Sequence, residues 1–362
     1  MWGFRNSGQQ GTGTRAWDAH AVPMPANIPD DVVTFTGGAY HLLALTVKGE
    51  VYGWGQNGYG ETGTKSNEGI YVHTPDKVTF PAGAGKIVQI GAGEYCSIAL
   101  DDLGNVYTWG HNLYGQIGDG KHANITNPVK VTLPAKARLI GAAYEGAFAV
   151  LENNSVWGWG DNEARGLGFQ TKHGLGYGVQ DVVRTPTEAV NLRQYASRIV
   201  HIAGGNGWGE ALLNDGSVIG WGVHASLGQG LLATGTSSAT VVHILGTGSS
   251  FPDVKVKQLF ARYVGSAALT TEGEIYTWGQ THGSAFPMIY QASPTLRNTN
   301  GQAVEVGGGK EHLFYMKADG SLWGVGYNDI NKINLNNPAG IISTWPGTQI
   351  NSSSKGFFKD WN

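Results

Sequence analysis

The side chains that usually carry catalysis or bind metals do not form a recognisable set in this sequence. There is no His-Glu-x-x-His pair for zinc, no Gly-x-Ser-x-Gly turn for a nucleophilic serine, and no pair of carboxylates at a familiar catalytic spacing. The eleven histidines are scattered, and the single cysteine, Cys96, excludes an internal disulfide and a cysteine-built metal site. The run 83–87 echoes a phosphate loop, but Phe80 stands where that motif needs its first glycine, and Ile87 replaces its serine or threonine. The sequence therefore predicts no catalytic residue, no metal and no cofactor, and a protein that is not an enzyme.

Aromatic and imidazole side chains in glycine-rich segments are the better candidates for binding. Tyr, Trp and His supply anchors in protein interfaces, and aromatic rings also stack on sugars. The candidate residues are Tyr40, His41, Tyr95, Tyr144, Trp208, Tyr263 and His312. To within one position, they stand at the same place in a repeated segment, so we expect them to form a ring on one face of the fold. The alternative interpretation is that these His and Tyr side chains bond the backbone of neighbouring units.

A Trp-Gly pair recurs along the whole chain and defines the repeat that must position these residues. Its tryptophans are Trp2, Trp54, Trp109, Trp159, Trp221 and Trp278, with Val325 in a degenerate seventh copy. From the second copy onward, an apolar segment ends nine residues earlier, at Leu45, Leu100, Val150, Leu212, Leu269 and Met316. Insertions fall only between these units, as expected if connectors are surface loops. We interpret the tryptophan as the packing wedge between neighbouring sheets.

The constant spacing of nine predicts a hairpin of two short strands in each unit. In one unit the strands would be 97–100 and 106–109, which are short β-prone runs. The turn position carries glycine or asparagine, which readily take a positive φ: Gly49, Gly104, Asn154, Gly216, Gly273 and Gly320. A second set of glycines, nine residues after the tryptophan, predicts a chain reversal into an outer strand such as 129–134: Gly11, Gly63, Gly118, Gly168 and Gly230. The sequence thus predicts about four short antiparallel strands per unit.

The two ends of the chain are predicted to complete one unit together. The chain opens with a Trp-Gly strand that lacks a preceding partner, and residues 349–358 align with residues 89–98, which begin a unit. Closure into a circle leaves no edge unpaired, whereas an open solenoid would need polar caps. We therefore predict an all-β fold, a seven-bladed β-propeller that forms a single domain over residues 1–362. Its N-terminal strand, 1–12, would complete the blade begun by about 340–362.

The run Tyr40 to Leu45, followed by Gly49 to Gly60, resembles the repeat of the regulator-of-chromosome-condensation family. The resemblance extends over nearly the whole chain and implies a β-propeller. The split closure is most similar to the propeller-type β-lactamase inhibitor of that family, and this resemblance implies that aromatic residues from such loops grip a target enzyme. Departures from the family pattern are Val325 for Trp, Asn154 for the turn glycine, and Cys96, Gly146, Trp208, Gly265 and Gly356 where the family often has His.

Composition narrows the class of function. Charged residues make up 14% of the chain, glycine 57 of its 362 residues, and the formal net charge is −3. This balance argues against a basic face that binds nucleic acid. No apolar stretch is long enough to span a membrane, and the polar N-terminus lacks an ordinary secretory signal, so a virion or the cytoplasm is the expected location.

Three roles remain compatible with the sequence. The favoured one is a non-enzymatic protein- or glycan-binding propeller, used as a structural or attachment component of a phage virion or a bacterial surface. The second is a protein inhibitor of an extracellular enzyme, which the split closure favours and the missing export signal disfavours. The third is a guanine-nucleotide exchange factor for a small GTPase, which is the role of the nuclear member of the family that the repeat resembles. That role would predict a basic N-terminal arm and an acidic wedge, and the sequence shows neither.

Overall fold

The structure is a computed structural model in which six blades of β-strands follow one another along the chain. It describes residues 3–4, 7–13, 19–20, 28, 31–64, 70–162, 166–168, 181–223, 226–227, 237–247, 249, 253–261, 265–281, 289–309, 312–327, 341–342 and 346–350. The fold is an all-β propeller whose blades are antiparallel sheets with the strands in sequence order.

The strands are short and are grouped by blade. The N-terminal pair is β1 (Gly3–Phe4) and β2 (Ala19–His20). Blade 1 holds β3 (Val32–Gly37), β4 (His41–Thr46), β5 (Val51–Gln56) and β6 (Tyr71–Lys77). Blade 2 holds β7 (Ile87–Ala92), β8 (Cys96–Asp101), β9 (Val106–Gly110) and β10 (Ile125–Lys130). Blade 3 holds β11 (Ala137–Ala143), β12 (Gly146–Leu151), β13 (Val156–Asp161) and β14 (Val182–Glu188), followed by a 3-10 helix (Val190–Arg198). Blade 4 holds β15 (Ile199–Gly204), β16 (Trp208–Leu213), β17 (Val218–Val223) and β18 (Ser237–Leu245). Blade 5 holds β19 (Val256–Ala261), β20 (Gly265–Thr270), β21 (Ile275–Thr281) and β22 (Ile289–Arg297). Blade 6 holds β23 (Ala303–Gly308), β24 (His312–Lys317), β25 (Leu322–Tyr327), β26 (Ile341–Ile342) and β27 (Thr348–Gln349).

The predicted hairpin is the second and third strand of each blade. In blade 2, Leu100 pairs with Val106 and Cys96 with Gly110, close to the predicted strand limits. The turn residues take a positive φ, from 59° at Asn154 to 85° at Gly216, as their residue types predict. The four-stranded antiparallel blade is therefore confirmed. The outer strand of blade 2, however, is β10 rather than 129–134, because Val129 and Lys130 end its pairing with β9.

The core lies between the blades. Because the second strands of blades 2–5 are covered on both faces, their sequences lack the polar alternation of a half-exposed strand. β8, β12, β16 and β20 are buried along their whole length. One cluster joins Ile98 and Leu100 of blade 2 to Ile140 and Trp159 of blade 3, and similar clusters fill the other junctions.

The repeated tryptophans lie in these junctions and tie each unit to the one before it. Trp54, Trp109, Trp159, Trp221 and Trp278 are fully buried. In four of them the indole N–H donates to a carbonyl in the preceding unit, at 2.8–3.0 Å: Trp54 to Gln9, Trp109 to Glu61, Trp159 to Gln116 and Trp221 to Gly166. Each acceptor stands two residues before a glycine of positive φ that belongs to the second predicted set of glycines. The loop that contains each glycine therefore bonds the tryptophan of the next unit, which explains why these glycines recur at a constant position. Trp2 and Gly230 lie outside the described residues.

The prediction of seven blades is wrong for the part of the chain that the structure describes, which forms six. The N-terminal strand β1 pairs with β2 in a two-stranded sheet. Its register, Gly3 opposite His20, matches that of Gly55 opposite Val72 in blade 1, so this pair copies the third and fourth strands of a blade.

The C-terminal alignment behind that prediction also fails at its start. Thr348 and Gln349 pair with Gly324 and Trp323 of β25, and the Ile350 N–H bonds the Leu322 carbonyl. These residues therefore extend the fourth strand of blade 6 and do not begin the first strand of another blade. The remainder of the predicted closing segment, 351–362, lies outside the described residues.

Candidate protein-contact site

The loops between the first and second strands, called first loops here, form a hydrogen-bonded series on one face of the propeller. The Ala39 N–H donates to the Glu94 carbonyl at 2.9 Å, and the Glu94 N–H donates to the Tyr144 carbonyl at 2.7 Å. The Tyr144 N–H continues the series to the Gly205 carbonyl of blade 4 at 3.4 Å. Because the first loops of blades 1–3 are each anchored to the next, the side chains that they carry are held at fixed separations.

The structure divides the predicted ring of aromatic and histidine side chains into surface and interior members. Tyr40 is 43% exposed, and Tyr95 and Tyr144 are half-buried. His312 is half-buried and contacts the Phe314 ring, with centroids 4.8 Å apart. His41 and Trp208 are buried, and Tyr263 lies outside the described residues.

His41 has a structural role, but it bonds a side chain of the neighbouring blade and not the backbone that the alternative interpretation expected. Its Nε2 is 3.0 Å from the Ser97 Oγ of blade 2, and that hydroxyl donates to the Glu61 carbonyl at 2.8 Å. Since the hydroxyl has one proton, His41 must donate at Nε2. Burial lowers the pKa of His41 to about 3, so the ring stays neutral and joins two blades rather than contacting a partner.

Trp208 is a core residue and cannot serve as an exposed anchor. It begins β16 at the position that Cys96 and Gly146 occupy in their blades, and its ring packs among Leu259, Ala268 and other buried residues. A shallow cleft between blades 3 and 4 reaches it, lined also by Glu145, Asp161 and Asn206.

The loops after the third strand, called third loops here, add aromatic residues that the sequence did not single out. The Tyr59 ring of blade 1 lies 5.3 Å from Tyr95 and 4.6 Å from His111, both of blade 2. The His111 ring lies 6.3 Å from Tyr95 and 6.0 Å from Tyr114, measured between centroids. We call Tyr40, Tyr59, Tyr95, His111, Tyr114 and Tyr144 the aromatic patch. It joins both kinds of loop across the first three blades.

The phenol group of Tyr95 remains a protonated hydrogen-bond donor at ordinary pH. Burial, followed by the nearby Glu94 carboxylate, raises the pKa of Tyr95 to about 12. The Tyr144 hydroxyl donates to Glu94 Oε1, which ties the first loop of blade 3 to that of blade 2. The patch therefore offers ring faces, hydroxyl donors and a carboxylate within one surface.

In blades 1–3, an asparagine at the start of the third loop holds the loop in shape. The Oδ1 atom accepts a backbone N–H five residues later in blades 1, 2 and 3: Thr62 to Asn57 at 3.1 Å, Ile117 to Asn112 at 3.0 Å and Leu167 to Asn162 at 3.1 Å. The signal was present in the sequence, because asparagine stands three residues after the tryptophan in each of these units. These side chains fix the backbone that presents Tyr59 and Tyr114.

The other chemical motifs lead to no site. The backbone N–H groups of Gly85 and Lys86, in the run that echoes a phosphate loop, donate to the Asp101 and Asp102 carboxylates at 2.9 and 3.0 Å. Within the described residues, no three His, Cys, Asp or Glu side chains come together as metal ligands. The same residues include no helix with the length and apolar character that crossing a membrane requires.

The fold and its aligned loops define a repeat-built β-propeller. Models of the regulator of chromosome condensation (RCC1) repeat match residues 48–100 and 104–150, and residues 32–61 and 87–116. Residues 32–150 of the chain are therefore RCC1 repeats. These matches do not support the closer similarity to the propeller-type β-lactamase inhibitor.

Several proteins of established name are similar to the chain. It is 30% identical to the human E3 ubiquitin-protein ligase HERC2 over 66% of the chain, which is 5% of that protein. It is 26% identical to the Arabidopsis thaliana ultraviolet-B receptor UVR8, over 84% of the chain and 68% of the receptor. It is 28% identical to the human RCC1-like G exchanging factor-like protein, over 83% of the chain and 66% of that protein. The chain thus spans a small part of HERC2 and about two thirds of the other two.

Two solved structures show the same fold. Prp20p from Saccharomyces cerevisiae superposes with a TM-score of 0.80 at 21% identity, covering 98% of this chain and 86% of that one. Human WBSCR16 superposes with a TM-score of 0.78 at 19% identity, covering 96% and 94% of the two chains.

Proposed function

We propose that the chain is a non-enzymatic, protein-binding propeller that contacts its partner through the aromatic patch. The observation that carries this proposal is the cluster of Tyr59, Tyr95, His111 and Tyr114, whose rings meet across the junction of blades 1 and 2. Such a cluster lies on the surface, because Tyr40 is 43% and Tyr59 38% exposed. Tyrosine is enriched at protein interfaces because it buries a large rigid surface and donates a hydrogen bond.

The loops that carry the patch are suited to binding because they are already ordered. The first loops are bonded to one another, and the third loops are braced by Asn57 and Asn112. A partner would therefore lose little entropy in ordering this surface. The relatives support the same class of function, since the yeast protein Prp20p binds Gsp1p and histones.

The decisive experiment compares capture of partner proteins by matched surface variants. Candidate partners from the source cells or particles would be crosslinked to the wild-type chain, to Tyr59→Ala with Tyr95→Ala, and to Leu103→Ala with Val190→Ala. Leu103 and Val190 are 49% and 59% exposed and lie outside the patch, so this second variant removes exposed apolar surface elsewhere. We expect the tyrosine variant alone to lose the captured proteins while its circular dichroism spectrum is unchanged. Equal capture by all three proteins would refute the proposed contact face.

The finer role that we propose is a structural or attachment component of a phage virion or a bacterial surface. It is supported by the low charged fraction, 14%, and by the hydrogen bonds that join the first loops of blades 1–4. Aromatic rings would serve a protein or a glycan receptor equally. Fractionation of purified particles or envelopes tests this role, because a component remains with the assembly through repeated washing. A chain that stays wholly in the supernatant does not have it.

A second candidate is nucleotide exchange on a small GTPase. The similarity to the human RCC1-like G exchanging factor-like protein favours it, at 28% identity over 83% of this chain. The test is the release of a fluorescent guanine nucleotide from candidate GTPases with and without the chain. Acceleration that Tyr59→Ala with Tyr95→Ala abolishes supports exchange at the patch, and an unchanged release rate excludes exchange on the GTPases assayed.

A further inference from the structure

The face that carries the aromatic patch has an excess of negative charge. Within the described residues, the first and third loops of blades 1–3, with the strand ends beside them, hold six carboxylates: Glu61, Glu94, Asp119, Glu145, Asp161 and Asp181. Their described segments, 38–41, 56–64, 70, 93–95, 111–124, 143–146, 161–162, 166–168 and 181, contain a single lysine, Lys121, and no arginine. On the opposite face, by contrast, acidic side chains beside the hairpin turns form ion pairs, such as Lys48 with Asp31 and Arg198 with Asp215.

Glu61 is an independent sign that this face receives positive charge. Its side chain is fully buried, and its Oε2 accepts the Tyr59 N–H at 2.7 Å directly beneath the patch. Its Oε1 has no hydrogen-bond partner among the described residues. A buried carboxylate with an unpaired oxygen is costly unless a partner compensates it.

The fold does not need a carboxylate at this position. Glutamine occupies it in two other units and makes the same loop-closing bond: the Ser7 N–H to Gln9 Oε1 at 2.9 Å and the Tyr114 N–H to Gln116 Oε1 at 3.0 Å. The carbonyl of each residue accepts the tryptophan indole in the same way. An uncharged side chain therefore fills the structural role at this position. The loop does not need the negative charge of Glu61 to make its closing bond.

We infer that the aromatic patch binds a segment of a protein partner rich in arginine or lysine, with a cationic side chain held on Tyr59 and Tyr95 above Glu61. Ring faces attract guanidinium and ammonium groups, and the surrounding carboxylates orient and accelerate the approach of a cationic partner. Glu94 lies next to Tyr95 in the chain and Glu145 next to Tyr144, so both flank the patch. This inference rests on the proposed function and names the chemistry of the partner.

The test measures binding of three labelled peptides of equal length by fluorescence anisotropy. They alternate glycine with arginine, with serine or with glutamate. We expect the arginine peptide alone to bind the wild-type chain, and added salt to weaken it. Glu94→Gln with Glu145→Gln should weaken binding roughly three- to tenfold, because each exposed ion pair contributes little. The matched control, Glu152→Gln with Glu272→Gln, removes the same charge from hairpin turns on the opposite face and should leave the affinity unchanged.

Glu61→Gln is the sharpest single variant, because glutamine already fills this position in two other units. It should fold normally and still weaken binding of the arginine peptide. Arginine binding no stronger than serine binding, or equal loss in the control variant, overturns the inference. The proposed function would survive that result if Tyr59→Ala with Tyr95→Ala still abolished capture of partner proteins. It would fail separately if the tyrosine variant captured the same proteins as the wild-type chain.

Discussion

The side-chain amide of Gln89 in blade 2 is paired with the backbone of Ile140 in blade 3. Its Nε2 donates to the Ile140 carbonyl at 2.8 Å, and its Oε1 accepts the Ile140 N–H at 3.0 Å. Gln258 makes the same pair of bonds to Val306 between blades 5 and 6, at 2.9 and 3.1 Å. An amide thus replaces one rung of a sheet ladder between first strands that belong to different blades.

Replacing Gln89 by leucine should destabilise the protein by about 2–3 kcal/mol, because it leaves a backbone donor and acceptor without partners in a junction. Urea unfolding would show this as a lower midpoint with an unchanged slope. Gln302→Leu provides the control, since Gln302 is exposed just before the first strand of blade 6. A similar loss in both variants would mean that the paired bonds contribute nothing specific.

Trp109→Phe should cost about 1–3 kcal/mol, because it removes the indole N–H that bonds the Glu61 carbonyl and leaves a small void. Trp157→Phe is the matched control. Its indole is half-buried and bonds Ser155 Oγ at 2.9 Å within one hairpin, so we expect a loss below about 1 kcal/mol. Thermal unfolding of the two variants would separate these expectations. The junction role of Trp109 would be contradicted if Trp157→Phe cost as much.

Glu61→Gln should raise stability at neutral pH. Burial raises the pKa of Glu61 above its usual value, opposed in part by backbone N–H groups of its own loop. The folded state therefore holds the proton to a higher pH than the unfolded chain does, and stability contributed by this group falls as pH rises through that interval. The variant cannot titrate there, so its stability should decline less between about pH 4 and pH 7 than that of the wild-type chain. If the free energy of unfolding, measured with urea, changed with pH equally in the variant and the wild-type chain, burial would not be destabilising the Glu61 carboxylate.

Gly104→Ala should be more damaging than Gly83→Ala, although both residues have a φ of 82–85°. An added Cβ at Gly104 would lie 2.6 Å from Lys136 Cβ, whereas at Gly83 it would meet no atom within 4 Å. The left-handed conformation alone costs about 1–2 kcal/mol, which Gly83→Ala isolates. The excess in Gly104→Ala reports the close approach of the hairpin turn to the next blade. Equal unfolding midpoints would show that Lys136 moves away at no cost.

The sequence predicts the hairpins well because their information is local. The spacing of nine and the glycine or asparagine at the turn specify two strands and a positive φ without reference to distant residues. Asn154 illustrates this point: it substitutes for glycine in one unit and has a φ of 59°. The first loops were identified for the same reason, since they precede the hairpin at a fixed distance.

The contacts between blades were not predictable in this way. Tyr59 and Tyr95 are in different units and meet only because neighbouring blades pack together. Trp208 shares its position with Cys96 and Gly146, and this comparison would have indicated an interior site for it. The blade count failed because residues from Gln349 onward were aligned with a first strand, whereas hydrogen bonding assigns Thr348 and Gln349 to a fourth.

The backward reach of the tryptophan indole means that no cut before blade 1, or between two of blades 1–4, separates independent modules. A fragment that began at residue 31 would contain the whole of blade 1, yet Trp54 would lose the Gln9 carbonyl to which it donates. A fragment that preserves this bond must include the third loop of the preceding unit. When units of this protein are exchanged or duplicated, the boundary must therefore lie before the third loop whose carbonyl accepts the next tryptophan's N–H. A boundary at the end of a sheet would break that bond.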